Sequence, residues 1–466
     1  MFFMLITVSA FAEEITMKEF LDLVKKNHPF FTKEALTAAI EKKQAETYLG
    51  DEDWNLSITP SFSHLGEVTA SEYGANRIEK FGIEAGVRRK LWSTGGQLGF
   101  SVSSGYTNSD LTMLNRFKHG IGASYTHPLL QNSKGKLYRL NYDLSKYVID
   151  SAEIQALENQ EDFILDVATR FLDWVRLSEM IQISKERLNL AEEQLIQTEK
   201  KREANLVDKV DVLRSQDAVR ISEQTLLQIE SQWKAKQAEL SVLAQDRKVY
   251  EKNPSYSIYT MEKLPGIEKS LSQLKKQSRV LKTLAVLKEK LTHSREGLVE
   301  QDRPELNLTL SGWLYGSDEQ FVESLGIYKP DVLLSAGFTM PIEKRTVTAK
   351  IEKVDLQIMQ IDEDINNIEV SLEASLRNLF IQIVEMEKIL ALNQEQIVSA
   401  QEKTQEEVKM YNQGRGQLTF VIQSRDNEEN AKLTYVENAV FYHSLLFQYR
   451  ALLDELLTAE QAIKSE

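Results

Sequence analysis

The residues that could do covalent or metal chemistry are few and scattered. The six histidines, His28, His64, His119, His127, His293 and His443, show none of the close spacing by which imidazoles share a metal ion. With no cysteine in the chain, a structural zinc site has no thiolates to draw on. Ser133 to Lys136 fits S-x-x-K only formally, and neither a nucleophile elbow, a P-loop nor a dinucleotide fingerprint occurs. Charge is what remains. Asp and Glu outnumber Lys and Arg by 70 to 56, giving a net charge of −14, and no basic stripe stands ready for a phosphate backbone. Nucleic acid is therefore excluded as a partner, and no enzyme, cofactor or metal centre is expected.

The elements that would position side chains are unusual. Gly (20) and Pro (8) are scarce in 466 residues, and Glu, Gln, Lys, Leu and Ile abound, which is the bias of long helices. No segment reaches the roughly eighteen apolar residues of a membrane-spanning helix. Residues 1–12, MFFMLITVSAFA, form an apolar run closing on Ala-x-Ala before two acidic residues, which predicts a signal peptide and export. A buried N-terminal helix is the competing reading.

The chain repeats itself. GASYTHPLL at 122–130 matches SAGFTMPIE at 335–343, an offset of 213 residues, and VLRSQD at 212–217 matches VIQSRD at 421–426, an offset of 209. Such constancy points to a duplicated unit of about two hundred residues, far longer than a solenoid repeat. Unit one is placed at 13–250 and unit two at 267–466, with the segment 251–266 between them. Each unit has a moderate helix (30–49; 267–300), a block of alternating segments (54–129; 304–341) and a helical hairpin (136–245; 344–458). The hairpins' long arms, 136–203 and 346–412, carry heptads: Val167, Trp174, Ile181, Leu188 and Leu195 in one, and Ile351, Ile358, Ile365, Leu372, Leu379 and Met386 in the other. A seven-residue apolar repeat makes the seam of a left-handed coiled coil. A cytoskeletal coiled coil would explain the heptads but not the blocks between them.

Six segments alternate with period two, beginning at Leu56, Phe81, Leu98, Ile121, Leu306 and Val332. Their second face carries Ser, Thr, Gly and Asn rather than Lys and Glu. That is the lipid-out, lumen-in alternation of an outer-membrane barrel; a β-sandwich core is the alternative. A sheet in lipid must close, and six strands fall short of the eight of the smallest bacterial barrels, so closure requires further copies of the chain. Pro128 and Pro341 are read as strand-to-helix joints, since proline suits a helix's first turn. The breaks within the hairpins align Asn205 with Gly414, two residues that tolerate the left-handed conformation ending a helix.

Order, spacing and duplication together resemble the TolC family of outer-membrane channels over essentially the whole mature chain. The segments that carry the resemblance are 15–46 (ITMKEFLDLVKKNHPFFTKEALTAAIEKKQAE), YTHPLL at 125–130 and LVDKVDVLRSQDAV at 206–219. The resemblance implies a mixed α and β membrane protein: a homotrimer sharing one β-barrel in outer-membrane lipid, continued by a long α-helical coiled-coil tunnel through the periplasm. It implies a passive exit duct for efflux or type I secretion. The partners would be a periplasmic adaptor (membrane fusion) protein and an inner-membrane transporter of proton-driven or ABC type. A periplasmic coiled-coil adaptor and a structural envelope-spanning protein are the rivals. The segment 251–266 would be the equatorial region. Four segments in unit one, where the family has two strands, would make eighteen barrel strands instead of twelve, unless one hairpin folds outside the wall. At the tunnel tip the family's acidic positions in unit two are here Phe420 and Gln423. A mixed constriction of Asp208, Asp211, Arg214, Arg415, Gln423 and Arg425 is expected instead. Asn205, Leu206, Val207, Gly414, Gly416 and Leu418 are expected to meet the adaptor.

Overall fold

The computed structural model describes residues 13–66, 77–110 and 115–457. The expected signal peptide lies outside them. The chain order is β1 (Glu14–Thr16), α1 (Met17–Asn27), α2 (Pro29–Leu49), β2 (Asn55–Gly66), β3 (Arg77–Lys90), β4 (Gln97–Ser109), β5 (Arg116–Pro128), α3 (Lys136–Glu203) and α4 (Lys209–Leu243). Then follow β6 (Asn253–Ser255), α5 (Ile267–Gln277), α6 (Arg279–Gln301), β7 (Glu305–Asp318), α7 (Phe321–Ser324), β8 (Lys329–Thr339), α8 (Arg345–Asn412) and α9 (Leu418–Leu452). Two compact units result: one holds the chain up to Thr37, Ile154–Lys282 and the chain from Asn366, the other Ala38–Glu153 and Thr283–Ile365. Each contains residues from both of the expected units, 13–250 and 267–466.

The first unit is helical around an apolar core. Phe20, Phe171 and Trp174 are fully buried, with ring centroids 5.2 Å apart for the first pair and 5.7 Å for the second. The heptad residues Val167 and Trp174 therefore serve as core. On α8 the deepest positions are Leu376, Ile383 and Leu390, while Leu372, Leu379 and Met386 flank them. Thr16 and Glu19 form a capping box that starts α1, and β1 pairs in parallel with β6. Asn253 to Ser255, in the segment read as equatorial, thus packs beside the chain's first described strand. His443 is buried and held below the usual imidazole range by burial; its Nε2 donates to the Ile258 carbonyl (3.1 Å) and its Nδ1 accepts from the Tyr256 hydroxyl (3.0 Å).

The expected helix 267–300 is two helices. The break at Ser278 (φ −49°, ψ 119°) has no proline to cause it. Instead the Arg279 N–H, which would have continued the helix, donates to Asp454 Oδ2 at 2.7 Å. The break between α1 and α2 at His28 (φ −74°, ψ 128°) has a local cause, because Pro29 disfavours helical geometry in the residue before it. The Arg279 guanidinium is buried among three carboxylates: it contacts Glu161, with Asp454 at 3.6 Å and Glu158 at 3.8 Å.

The second unit is built on one antiparallel sheet in the order β2-β3-β4-β5-β7-β8. All six alternating segments lie in it, so the second hairpin of unit one is part of the sheet. WSTGGQ forms the tight β3–β4 turn, with Gly95 at φ +75° and Leu91 N–H donating to the Gly96 carbonyl at 2.8 Å.

Neither proline opens a helix. Pro128 is the last residue of β5, opposite Asn307, and α3 begins only at Lys136. Pro341 follows β8 and precedes α8, which begins at Arg345. A proline has no N–H to donate to a ladder; beyond Pro128 the pairing persists only as Leu129 N–H donating to the Leu306 carbonyl (2.8 Å) and Gln131 N–H to the Pro304 carbonyl (3.3 Å). The first turn of α3 is satisfied by Asn132, whose Oδ1 accepts from Leu137 N–H (2.9 Å) and Tyr138 N–H (3.3 Å). The Asn132 Nδ2 donates to the Gly95 carbonyl at 3.2 Å, fastening the joint to the β3–β4 turn.

Candidate functional site

Two places could do the protein's work: the turns at the ends of the hairpins, in the first unit, and the sheet, in the second.

The turns are built alike. Asn205 (φ 54°) and Gly414 (φ +72°) both adopt the left-handed conformation. After α3, Asn205 N–H donates to Arg202 O (2.9 Å) and Leu206 N–H to Lys201 O (2.8 Å). After α8, Gly414 N–H donates to Tyr411 O (3.1 Å) and Arg415 N–H to Met410 O (3.0 Å). These are two Schellman motifs, in which a left-handed residue lets the next N–H groups reach the helix's last carbonyls. Asn205, Leu206, Asp208, Gly414 and Arg415 are exposed, and Val207 and Gly416 half-buried. Leu418 is 2 % exposed and packs with Tyr411 and Val421. It holds the turn together and offers no surface to a partner.

The charges at the tip divide into two sets. Asp211 and Arg214 pair at 3.1 Å across one turn of α4, while Asp208 precedes that helix. Gln423 is exposed on α9. Arg425 is drawn inward: its guanidinium donates to the Leu190 carbonyl of α3, and burial, aided by Arg187, weakens its hold on its proton. It is not disposed to line an opening. Residues that the sequence reading passed over tie the hairpins together. The Lys201 ammonium sits 3.7 Å from the Tyr411 ring centroid and donates to Asn412 Oδ1 at 3.1 Å. Arg187, 5 % exposed, donates to Asp426 at 2.6 Å. A basic residue at the last turn of one hairpin and an aromatic one at the last turn of the other was the available signal.

On the sheet, the register sorts side chains cleanly. Val87 lies opposite Phe100, Ala85 opposite Val102, Val102 opposite Ile121, Ile121 opposite Leu314 and Leu310 opposite Leu334. These residues share one face, and Phe100, Val102, Ile121, Leu310 and Leu334 are exposed there. The other face carries Ser57, Thr59, Gly82, Ser101, Ser103, Ser124, Thr309 and Ser335, as the same registers require. Two rings lie flat on that polar face over glycines: a Cβ at Gly122 would come within 2.5 Å of Trp313 Cδ1, and one at Gly120 within 2.6 Å of Tyr315 Cδ1. Among the described residues, β2 and β8 have no further neighbour, so both edges of the sheet are open.

A chain that combines an apolar six-stranded sheet face with open edges and helical hairpins closed by paired turns can be matched to known architectures. No family model and no curated protein matches the chain by sequence. Solved structures do match. The outer-membrane channel OprN superposes with a TM-score of 0.70 at 11 % identity, over 94 % of this chain and 90 % of that one. The outer membrane protein VceC of Vibrio cholerae gives 0.66 at 10 % identity, over 94 % and 96 %. The CmeC outer membrane channel of Campylobacter jejuni gives 0.67 at 13 % identity, over 96 % and 88 %. The chain has the fold of the TolC-type outer-membrane channels. Within that fold, no helix among the described residues is long and apolar enough to cross a membrane. Among the described residues no group of His, Asp and Glu is disposed to hold a metal ion.

Proposed function

We propose that three copies of this chain form a passive exit channel in the outer membrane, with the helical hairpins making a periplasmic tunnel. One observation carries the proposal: an exposed apolar face runs across all six strands and ends at two open edges. In lipid such edges must be paired, and β2 of one copy can meet β8 of the next. The fold likeness to outer-membrane channels supports the same reading. Three six-stranded sheets would make eighteen strands, a wall about one and a half times the diameter of a twelve-stranded one, since diameter grows roughly linearly with strand number. The polar face, with its serines, threonines and glycines, would line the water-filled lumen. No step in such a conduit calls for a catalyst or cofactor.

The paired helices α1 and α5, each 11 residues long and each followed by a break and a second helix, support the reading of an internal duplication. So do the two similarly built tip turns. An adaptor protein would meet Leu206, Val207 and Gly414 at those turns, with Asp208, Asp211, Arg214 and Arg415 around the opening, and would link the channel to an energised inner-membrane transporter. Planar-bilayer recording on the purified chain tests the reading. Discrete, long-lived conductance steps are expected; an adaptor or a purely structural protein would give none.

A further inference from the structure

The loop between β7 and β8 carries the exposed polar residues Glu319, Gln320 and Glu323, and among them an unusually large exposed apolar set. Phe321, Val322, Leu325 and Tyr328 are all exposed there, Val322 and Tyr328 at 72 %. The loop nevertheless does not stand away from the sheet. The Phe321 ring meets Phe117 edge-on at 5.4 Å and His119 at 5.0 Å. The Ser324 carbonyl closes over Gly316 so tightly that a Cβ there would lie 2.0 Å from it. His119 pairs with Gly316 and Ile121 with Leu314, two residues further along each strand. Phe117, His119 and Gly316 therefore lie on the face of Ile121 and Leu314. The short helix α7 rests on the apolar side of the sheet, away from the polar side.

Its height along the strands is also defined. β5 has 13 residues and Phe117 is one from its far end, whereas a strand crosses the hydrocarbon layer in about 9–11 residues. Phe117 thus falls where hydrocarbon gives way to headgroups, the level at which aromatic residues gather on membrane proteins. We propose that the β7–β8 loop is a membrane anchor, with Phe321, Val322, Leu325 and Tyr328 entering the outer leaflet at the boundary between headgroups and acyl chains. The anchor continues the lipid-facing surface beyond the strand ends and holds each copy at a fixed depth. It rests on the reading of the sheet as embedded in the outer membrane.

The absence of cysteine makes the test direct. Spin labels are placed singly on Val322→Cys, Leu310→Cys and Leu206→Cys in the full chain, reconstituted in phosphatidylethanolamine–phosphatidylglycerol liposomes. Their collision rates with oxygen and with a water-soluble nickel chelate are then compared. The label at 322 is expected to favour oxygen, at a shallower depth than the label at 310, while 206 favours the nickel chelate. A water-like label at 322 beside a lipid-like one at 310 overturns the anchor and leaves the embedded sheet standing. Low collision with both reagents at 322 would seat the loop against another protein chain and overturns it equally. A water-like label at 310 removes the embedded sheet, and the anchor with it.

Discussion

Glu158 should make this protein less stable as pH rises through neutrality. Its carboxyl is pushed up to about 7, first by burial and then by the negative charge of Asp454, with Arg279 pulling the other way. Burial also raises the neighbouring Glu161 and Asp454 above the usual carboxylate range. One guanidinium among three carboxylates leaves excess negative charge in a half-buried site, so a proton on Glu158 relieves it. Between its ordinary value of 4.5 and about 7 the folded state holds a proton that the unfolded state has released. The stability that Glu158 confers is therefore full below 4.5 and is lost as pH climbs to about 7. At about 1.4 kcal/mol per tenfold change in proton affinity, the whole effect is worth roughly 3 kcal/mol. Lys25, Asp162 and Lys282 also face the cluster and are unchanged by the perturbation. Glu158→Gln keeps the shape and cannot ionise. Thermal unfolding followed by helical circular dichroism in detergent should show wild type and variant alike near pH 4, and the variant more stable by some degrees at pH 8. Parallel curves across that range, or a variant less stable at pH 8, would refute the reasoning; the latter would mean that Glu158 acts as an ionised partner of Arg279.

At the strand-to-helix joint, Asn132→Ala removes the cap of α3 and should cost about 1 kcal/mol, read as a lower unfolding midpoint. Gly135→Ala should cost more, because φ is +69° and a Cβ would lie 1.8 Å from the Trp92 carbonyl oxygen. On intact cells an impermeant thiol reagent should label Glu319→Cys in the β7–β8 loop and leave Ser93→Cys in the β3–β4 turn untouched; equal labelling would contradict the orientation of the sheet. At the tip, Leu206→Asp should leave channel conductance unchanged while export by cells falls, and normal export at normal abundance would remove this turn from docking. Leu206 suits this purpose better than Gly416, where a Cβ would already lie 2.9 Å from the Tyr411 backbone nitrogen.

Regular elements were legible in the residues because their signals are local. Period-two alternation at Leu56, Phe81, Leu98, Ile121, Leu306 and Val332 located every strand of the large sheet, and the apolar heptads located both 68-residue helices. The left-handed turns at Asn205 and Gly414 could be read from residue type and alignment. What was missed depends on distant partners. The break at Ser278 exists because Asp454 captures an N–H from 175 residues away. The parallel pairing of β1 with β6 involves three residues on each side, too few for a periodic pattern. Leu418 and Arg425 were assigned to a surface because a helix end looks exposed in sequence; burial against Tyr411 and Val421, and the reach of Arg425 to Leu190, are tertiary facts. The prolines marked the joints but do not begin the helices, which start at Lys136 and Arg345.

The central claim is that the open edges of one copy are closed by others into a ring of three. Cysteine pairs test it directly, with one cysteine at Ser57 on β2 and the second moved in turn through Leu333, Ser335 and Gly337 on β8. After oxidation in isolated membranes, at least one pair should give a covalent ladder that stops at the trimer, and neither single variant should give it. Monomers alone at every position, from protein that retains its β-sheet signal, would contradict the shared barrel.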